Sequence, residues 1–303
     1  ERAEILNGAP TARDAPDAAG NTGVLLAWER AGPGAPLKSL GAPVSTLGVT
    51  PCYLAKHPAL PLLAVANFRG PGDRNRSAGS VSLFRLDGRG RPLPSKDKVS
   101  FPGSGPSLPR QAASHPHCVG FTTNPDVLRV ADFGADSLWS VPLDMDGEAI
   151  CGAPARFACE PGSGPRHFVV VENGHALFLV DELHNELTWL QPSGALELEK
   201  VLSLSLLPGP GASAAAADVQ ATWDSRFVYA TLRGRDEVIG YRVDMSGQTL
   251  SEAARYSSVG VGPRSLALGR EGTMIALGNT GGPKPTMDFL QRDSETGELQ
   301  RCG

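Results

Sequence analysis

Residues 116–133 read PHCVGFTTNPDVLRVADF, a short apolar run, a polar turn and a second apolar run. The same order recurs in PCYLAKHPALPLLAVANF at 51–68, PRHFVVVENGHALFLVDE at 165–182, ADVQATWDSRFVYATLR at 217–233 and PRSLALGREGTMIALGNT at 263–280. Apolar runs of this length between turn residues are typical of paired β-strands. Self-similarity at a regular spacing indicates that each stretch opens one unit of a repeating fold.

A third strand follows most of these stretches, as in GSVSLFRLD at 79–87, DSLWSVPLD at 136–144 and DEVIGYRVD at 236–244. An outer fourth strand follows the next turn, as at 196–207. Four short antiparallel strands per repeat are typical of the blades of a β-propeller, and a β-sandwich is the alternative architecture. We therefore expect an all-β chain that forms a single propeller domain over residues 1–303.

The first 50 residues do not show the whole repeat. Residues 21–29 (NTGVLLAWE) indicate a third strand and residues 42–50 an outer strand, so 1–50 is expected to form only a partial first blade. About five full blades should follow between residues 51 and 303. A half-blade cannot bury its apolar face without a neighbour, which favours a propeller that is incomplete at its N-terminus.

Composition limits the class of partner. The net charge is −4 and the Lys and Arg residues are scattered, which argues against a nucleic acid or a membrane surface as partner. No apolar run approaches the length of a membrane-spanning helix, so we expect a soluble protein. The five cysteines form no CxxC pair and have no metal-ligand spacing. We therefore expect a reduced, cytoplasmic protein that uses no metal and no cofactor. A Cys151–Cys159 disulfide in an oxidising compartment is the alternative.

Equivalent positions of a propeller form rings, because the first strand of a blade starts at the face where the second strand ends. The first strands start at Cys52, His117, Arg166, Asp218 and Arg264, and the second strands end at Phe68, Phe133, Glu182, Arg233 and Thr280. Three arginines, two carboxylates and a histidine on one rim indicate a functional site. The alternative is that Arg166, Glu182 and Arg233 are ion pairs that only hold blades together.

Several motifs resemble those of the seven-bladed lactonase family, which includes the bacterial type of 6-phosphogluconolactonase and the fungal carboxymuconate-lactonizing enzyme. They are GSGPSLPRQAASHPHCVGF at 103–121, GSGPRHF at 162–168, VDELHNELTW at 180–189 and RFVYATLRGRDEV at 226–238. The resemblance implies His117, Arg166, Glu182 and Arg233 as catalytic residues, with His115, His167, Asp218 and Arg264 as substrate-binding residues. Two departures put ligand contacts in doubt, since the family has a glutamate at Asp218 and a histidine at Ser265.

The function implied is hydrolysis of a small anionic sugar-acid lactone similar to 6-phosphogluconolactone, a step of carbohydrate metabolism. We expect Arg166 nearest the reacting carbonyl, Arg233 as the clamp for the substrate's anion, and His117 as the acceptor of a proton from water. Glu182 would orient one of these groups or act as the base. The alternatives are a lactonizing cycloisomerase that acts on a muconate and a propeller that binds without catalysis.

Overall fold

The computed structural model describes residues 22–72, 76–95, 97–144, 149–171, 174–209, 211–257 and 260–302. The regular secondary structure of these ranges is entirely β-strand, which confirms the all-β expectation. None of the described residues forms a helix long and apolar enough to cross a membrane. The chain divides into two compact units, residues 1–158 (the N-terminal unit) and 159–303 (the C-terminal unit). The single-domain expectation stays a prediction.

The N-terminal unit contains two four-stranded antiparallel sheets, preceded by four strands of two residues each. Sheet 1 is formed by β5 to β8 and sheet 2 by β9 to β12. The strands are β1 (Val24–Leu25), β2 (Trp28–Glu29), β3 (Lys38–Ser39), β4 (Val44–Ser45), β5 (Val49–Lys56), β6 (Leu62–Arg69), β7 (Ser80–Arg85), β8 (Lys98–Val99), β9 (Pro116–Phe121), β10 (Val127–Asp132), β11 (Ser137–Pro142) and β12 (Ala155–Ala158).

The strand predicted at 21–29 is divided in two. β1 pairs with β4, whereas β2 pairs with β3. Leu25 is buried against sheet 1, but Trp28 is exposed, so only the first pair has an apolar face to bury. The outer strand predicted at 42–50 supplies β4 and the first residues of β5. Residue 21 and the polar stretch before it lie outside the described residues.

The C-terminal unit contains three four-stranded antiparallel sheets: sheet 3 (β13 to β16), sheet 4 (β17 to β20) and sheet 5 (β21 to β24). With sheets 1 and 2 they make the five full blades expected from residue 51 onward. The strands are β13 (Pro165–Val170), β14 (Leu177–Asp181), β15 (Glu186–Pro192), β16 (Leu198–Ser205), β17 (Ala215–Ala221), β18 (Phe227–Arg233), β19 (Glu237–Asp244), β20 (Thr249–Ser257), β21 (Pro263–Leu268), β22 (Met274–Asn279), β23 (Thr286–Arg292) and β24 (Leu299–Arg301).

Within each unit the sheets stack face to face on apolar cores. Trp139 lies in the core between sheets 1 and 2, Trp189 between sheets 3 and 4, and Phe227 between sheets 4 and 5. The first strands of stacked sheets are neighbours, since β5 contacts β9, β13 contacts β17 and β17 contacts β21. The starts of these strands, and the side chains they carry, are therefore brought together in each unit.

Every first strand has a β-bulge near its start. In β13, for example, Pro165 pairs with Asp181 and His167 with Val180, which leaves Arg166 as the extra residue. The extra residue is Cys52 in β5, His117 in β9 and Arg264 in β21, and in β17 Ala217 and Asp218 lie opposite one residue. A bulge turns a side chain away from the normal alternation. The five positions expected to line one rim are therefore the five bulges.

Candidate active site

The bulges of the C-terminal unit lie beside the ends of the second strands. Arg166 is the bulged residue of β13, and Glu182 directly follows β14, its antiparallel partner. Arg233 is the last residue of β18, which pairs with β17 and its bulged Asp218. The strand pairing thus collects two arginines and two carboxylates at one end of sheets 3 and 4.

Glu182 is held between two guanidinium groups. Its Oε2 lies 2.9 Å from Nε of Arg166 and 2.8 Å from Nη2 of Arg233. The exposed fraction of the side chain is 2% for Arg166, 5% for Glu182 and 19% for Arg233. A buried carboxylate requires compensating cations, and here two guanidinium groups supply them. Of the three side chains, Arg233 has the greatest access to solvent.

A second chain of contacts extends from Arg166 to Asp218 through His167. Nη1 of Arg166 is 3.2 Å from Nε2 of His167, and Nδ1 of His167 is 2.8 Å from Oδ1 of Asp218. Nη1 also donates to the carbonyl of Ala217. Because a guanidinium can only donate, the geometry assigns the proton of a neutral His167 to Nδ1, where Asp218 accepts it. Both ring nitrogens are thereby occupied.

Burial and neighbouring charges shift two pKa values in this chain. Burial lowers the pKa of Arg166 to about 10, against the opposing effect of Glu182, so the guanidinium stays charged at neutral pH. Burial also lowers the pKa of His167, and the cation of Arg166 adds to that effect while Asp218 opposes it. The charge of Arg264 contributes to the lowering of both pKa values. His167 is therefore neutral at pH 7.

The carboxylate of Asp218 accepts hydrogen bonds from groups of the protein itself. Oδ1 accepts from the backbone N–H of Val219 at 2.9 Å as well as from His167, and Oδ2 accepts from the N–H of Leu266 at 2.7 Å. These bonds tie sheet 4 to sheet 3 on one side and to sheet 5 on the other. Arg264 and Ser265, next to Leu266, are exposed. These bonds give Asp218 a role in holding the sheets together, and the ligand contact expected from the sequence stays a prediction.

In the N-terminal unit the rings of His115 and His117 both contact the ring of Phe68. The ring of His115 stacks on Phe68 at 4.6 Å between centroids, and its Nδ1 lies 2.8 Å from the carbonyl oxygen of Phe68. The ring of His117 meets Phe68 edge-on at 5.5 Å. These partners all belong to the N-terminal unit, and the catalytic role of His117 stays a prediction.

Among the described residues, no group of three or more His, Cys, Asp or Glu side chains is arranged to hold a metal ion. No disulfide joins the five cysteines, all of which lie in described ranges.

The profile of the family described as "Lactonase, 7-bladed beta-propeller" matches residues 15–303. The chain belongs to this lactonase family. A protein named 6-phosphogluconolactonase from Formosa agariphila is 26% identical over 259 residues, which cover 84% of this chain and 70% of that protein. One of the same name from Bacillus subtilis is 27% identical, with 83% and 69% covered. Superposed on the structure of a Pseudomonas aeruginosa periplasmic gluconolactonase, this chain gives a TM-score of 0.82 at 24% sequence identity. The match covers 93% of this chain and 77% of that one, and it supports the fold.

Two kinds of polar residue at the bulged ends of the sheets were not identified from the sequence. The first is the Asn or Asp that precedes the predicted ring position in four repeats, at Asn67, Asp132, Asp181 and Asn279. Asp132 is fully buried, and Oδ1 accepts from the N–H of His115 at 2.6 Å while Oδ2 accepts from Ser114 Oγ at 2.6 Å. Its recurrence in the aligned repeats was the available signal.

The second kind is a polar residue with positive φ between the second and third strands. Asp136, Asn185 and Asp236 have φ angles of 46°, 56° and 56°. Oδ1 of Asn185 accepts from the N–H of Ala216 at 2.9 Å, and Oδ1 of Asp236 accepts from the N–H of Gly262 at 2.7 Å. Asn and Asp adopt this backbone conformation more readily than other non-glycine residues. Asn185 thus anchors the start of β17, and Asp236 anchors Gly262 directly before β21.

Proposed function

We propose that this chain hydrolyses the internal ester of an anionic sugar-acid lactone, of which 6-phosphogluconolactone is the type. The observation that carries the proposal is the Glu182 carboxylate between Arg166 and Arg233 at the bulged end of sheets 3 and 4. The names of the relatives from Formosa agariphila and Bacillus subtilis support the choice of lactone.

Arg233 is the group suited to polarise the lactone carbonyl. Hydrolysis places negative charge on the carbonyl oxygen as water adds, and donors already fixed in place stabilise that charge most effectively. Nη2 of Arg233 is fixed by Glu182 at 2.8 Å and by the carbonyl of Ala216 at 3.2 Å, and the side chain keeps partial access to solvent. The exposed Arg264 supplies a second cation at the same end of the unit.

Arg166 acts through its neighbours. With 2% of its side chain exposed, it has little surface with which to touch a substrate. Its Nε holds Glu182 and its Nη1 holds His167, so its guanidinium fixes both groups at once. The low exposure of Arg166 supports Arg233 for the carbonyl contact that the sequence assigned to Arg166.

The reaction consumes one water. Its oxygen bonds to the lactone carbonyl carbon, the ring C–O bond breaks, and the ring oxygen takes a proton to give the open-chain hydroxy acid. The proton lost by the water passes to a base, and His117 keeps that role as a prediction from the sequence.

The test is acid release from 6-phosphogluconolactone, glucono-δ-lactone and muconolactone at pH 7, with spontaneous hydrolysis subtracted. We expect Arg233→Gln to lower kcat by about 10²- to 10³-fold, the usual effect of removing one oxyanion donor. Arg226→Gln is the matched control, because Arg226 forms an exposed ion pair with Glu295 in the same unit. If no lactone is opened, the proposal is wrong. Conversion of a muconate to its lactone would instead favour a cycloisomerase.

A further inference from the structure

His57 begins the turn between β5 and β6, and its ring accepts hydrogen bonds from that turn. Nδ1 lies 3.0 Å from the backbone nitrogen of Ala59 and 2.8 Å from that of Leu60, and both N–H groups donate to it. The backbone N–H of His57 donates to the carbonyl of Leu62 at 2.9 Å and closes the turn. We call residues 57–62 the His57 turn. Because Nδ1 accepts these bonds, the proton of the neutral ring is on Nε2.

The ring of His57 is buried where sheet 1 meets sheet 2. Only 1% of the residue is exposed, and its ring meets the ring of Phe121, the last residue of β9, edge-on at 4.8 Å between centroids. Leu60 and Leu62 of the same turn pack in the apolar core shared by the two sheets. A charge in such a place costs free energy unless a partner compensates it. The His57 turn therefore joins a titratable ring to the core of the N-terminal unit.

The corresponding turns of sheets 2 and 4 use side chains that do not titrate near neutral pH. The first residue of each turn donates its N–H to the carbonyl of the residue five positions later, and it is Thr122 in sheet 2 and Thr222 in sheet 4. Oγ1 of Thr222 accepts from the N–H of Phe227 at 3.0 Å, and Oδ1 of Asn124 accepts from the N–H two residues later at 3.1 Å. Histidine, in contrast, ordinarily titrates near pH 6.5. Of these three turns, the His57 turn is the one whose acceptor can gain a proton in mild acid.

The surroundings of His57 favour its neutral form. Burial lowers the pKa of His57 below its ordinary value of 6.5, the backbone of Pro125 opposes that shift, and the cation of Lys56 adds to it. Nζ of Lys56 donates to the carbonyl of His57 at 3.3 Å, so this charge lies beside the turn. Pro125 belongs to the turn after β9, whose ionisable side chain is Asp126. The ring is therefore neutral at pH 7.

We infer that the His57 turn is a pH-sensitive switch, closed while the ring is neutral and opened when the ring is protonated. Protonation places a proton on Nδ1, which then points at the N–H groups of Ala59 and Leu60. These donors have no acceptor between them, and the turn loses both side-chain hydrogen bonds. Opening returns the charged ring and the two N–H groups to water, and it removes Leu60 and Leu62 from the core.

The switch uses no residue of the candidate active site, so its test needs no lactone. The first experiment is nuclear magnetic resonance of the ring nitrogens of wild type, with His57 assigned through its contacts to Phe121. At about pH 8 the proton should be on Nε2, and the ring should titrate below pH 6.5. A proton on Nδ1 at that pH, or a titration above pH 6.5, would overturn the proposal.

The second experiment measures hydrogen exchange at the amides of Ala59 and Leu60 between about pH 8 and about pH 5, relative to the intrinsic rate at each pH. Below the folded pKa of His57, protection should fall by as much as about tenfold for each pH unit, because opening binds one proton. His57→Asn supplies a side-chain oxygen acceptor of the kind that Asn124 provides, and it should remove this pH dependence.

The matched control is His175→Asn, because His175 is an exposed histidine of the turn between β13 and β14. This variant should leave the pH dependence at Ala59 and Leu60 unchanged. Protection that stays constant with pH in wild type would overturn the switch, and so would a fall of the same size in His57→Asn. The resonance experiment needs only wild type, so it decides the matter even if His57→Asn does not fold.

Discussion

Arg166 is a buried cation whose partners are all supplied by the fold. It holds Glu182 through Nε and both His167 and the Ala217 carbonyl through Nη1. Removing one partner of a buried ion pair typically costs about 3–5 kcal/mol, and because Glu182 keeps its ion pair with Arg233, the loss of Arg166 should lie at the lower end of that range. We therefore expect Arg166→Ala to lower the free energy of unfolding by that amount in urea titrations, in addition to lowering kcat.

The control is Arg226→Ala, which removes an exposed ion pair with Glu295 and should cost about 0–1 kcal/mol. Equal stability of the two variants would show that Arg166 contributes little to the fold.

His167 should make stability depend on pH. Its folded pKa lies below the ordinary value of 6.5, through burial and the cation of Arg166. Between those two values the unfolded chain binds more protons, so this contribution is complete above pH 6.5 and is lost as the pH falls through the folded pKa. Protonation would also place an N–H donor on Nε2 opposite the donors of Arg166, with Asp218 and Arg264 as the other nearby charges.

The measurement is the free energy of unfolding at pH 5, 6, 7 and 8. Wild type should lose stability below about pH 6.5, and His167→Gln should reduce that loss. His57, whose pKa burial also lowers, contributes a slope of the same sign, so His57→Gln is the comparison variant. An unchanged slope in His167→Gln would contradict the prediction.

At the scale of the elements, the bulged first strand explains why equivalent positions of the sequence repeat predict one cluster of candidate residues. Four of the five first strands place a proline directly before the bulged residue, and proline, which has no N–H, is tolerated at such positions. The equivalent positions of the repeats therefore coincide with the bulged positions of the strands. Repeat periodicity specifies the end of the sheet where a side chain lies.

The partners of each side chain could not be predicted in the same way. Asp218 was expected at the rim, but the alignment does not distinguish a ligand contact from bonds to His167 and the N–H of Leu266. The burial of a side chain could not be predicted either, because Arg166 and Arg264 occupy equivalent positions of the repeat but only Arg166 is buried. These outcomes depend on how neighbouring sheets stack, which a single repeat does not contain.

Asn185 allows the link between consecutive sheets to be tested. Its backbone has a φ of 56°, and its Oδ1 accepts from the N–H of Ala216 at 2.9 Å. Asn185→Gly keeps the backbone conformation at low cost and loses the hydrogen bond, which should cost about 1–3 kcal/mol for the buried N–H left behind. Asn185→Ala adds the penalty of a left-handed alanine, about 1–2 kcal/mol.

Asn185→Ala should therefore lower the free energy of unfolding in urea more than Asn185→Gly does, although alanine has the greater intrinsic tendency to form regular structure. Equal losses of stability in the two variants would mean that only the hydrogen bond of Asn185 matters. A smaller loss in Asn185→Ala than in Asn185→Gly would show that the backbone at residue 185 relaxes.

At the scale of the whole molecule, the charge of the chain opposes that of its candidate site. The net charge is −4, whereas the bulged strand ends carry exposed or partly exposed arginines such as Arg110, Arg233 and Arg264. An anionic lactone is thus repelled by the average field and attracted by the local one. At an ionic strength of about 0.15 M charges more than about 8 Å apart are largely screened. The local attraction should govern capture.

Salt should therefore slow the capture of a phosphorylated lactone. Raising NaCl from about 20 to about 300 mM should lower kcat/KM for 6-phosphogluconolactone several-fold, because screening weakens the attraction between arginine and phosphate. The change for the uncharged glucono-δ-lactone should stay below about twofold, because it carries no charge for the arginines to attract. Arg264→Gln should flatten the salt dependence for the phosphorylated substrate, and Arg226→Gln, which removes an arginine already paired with Glu295, should not. If salt instead raised kcat/KM for the phosphorylated lactone, repulsion by the net charge would dominate capture and the arginines would have no steering role.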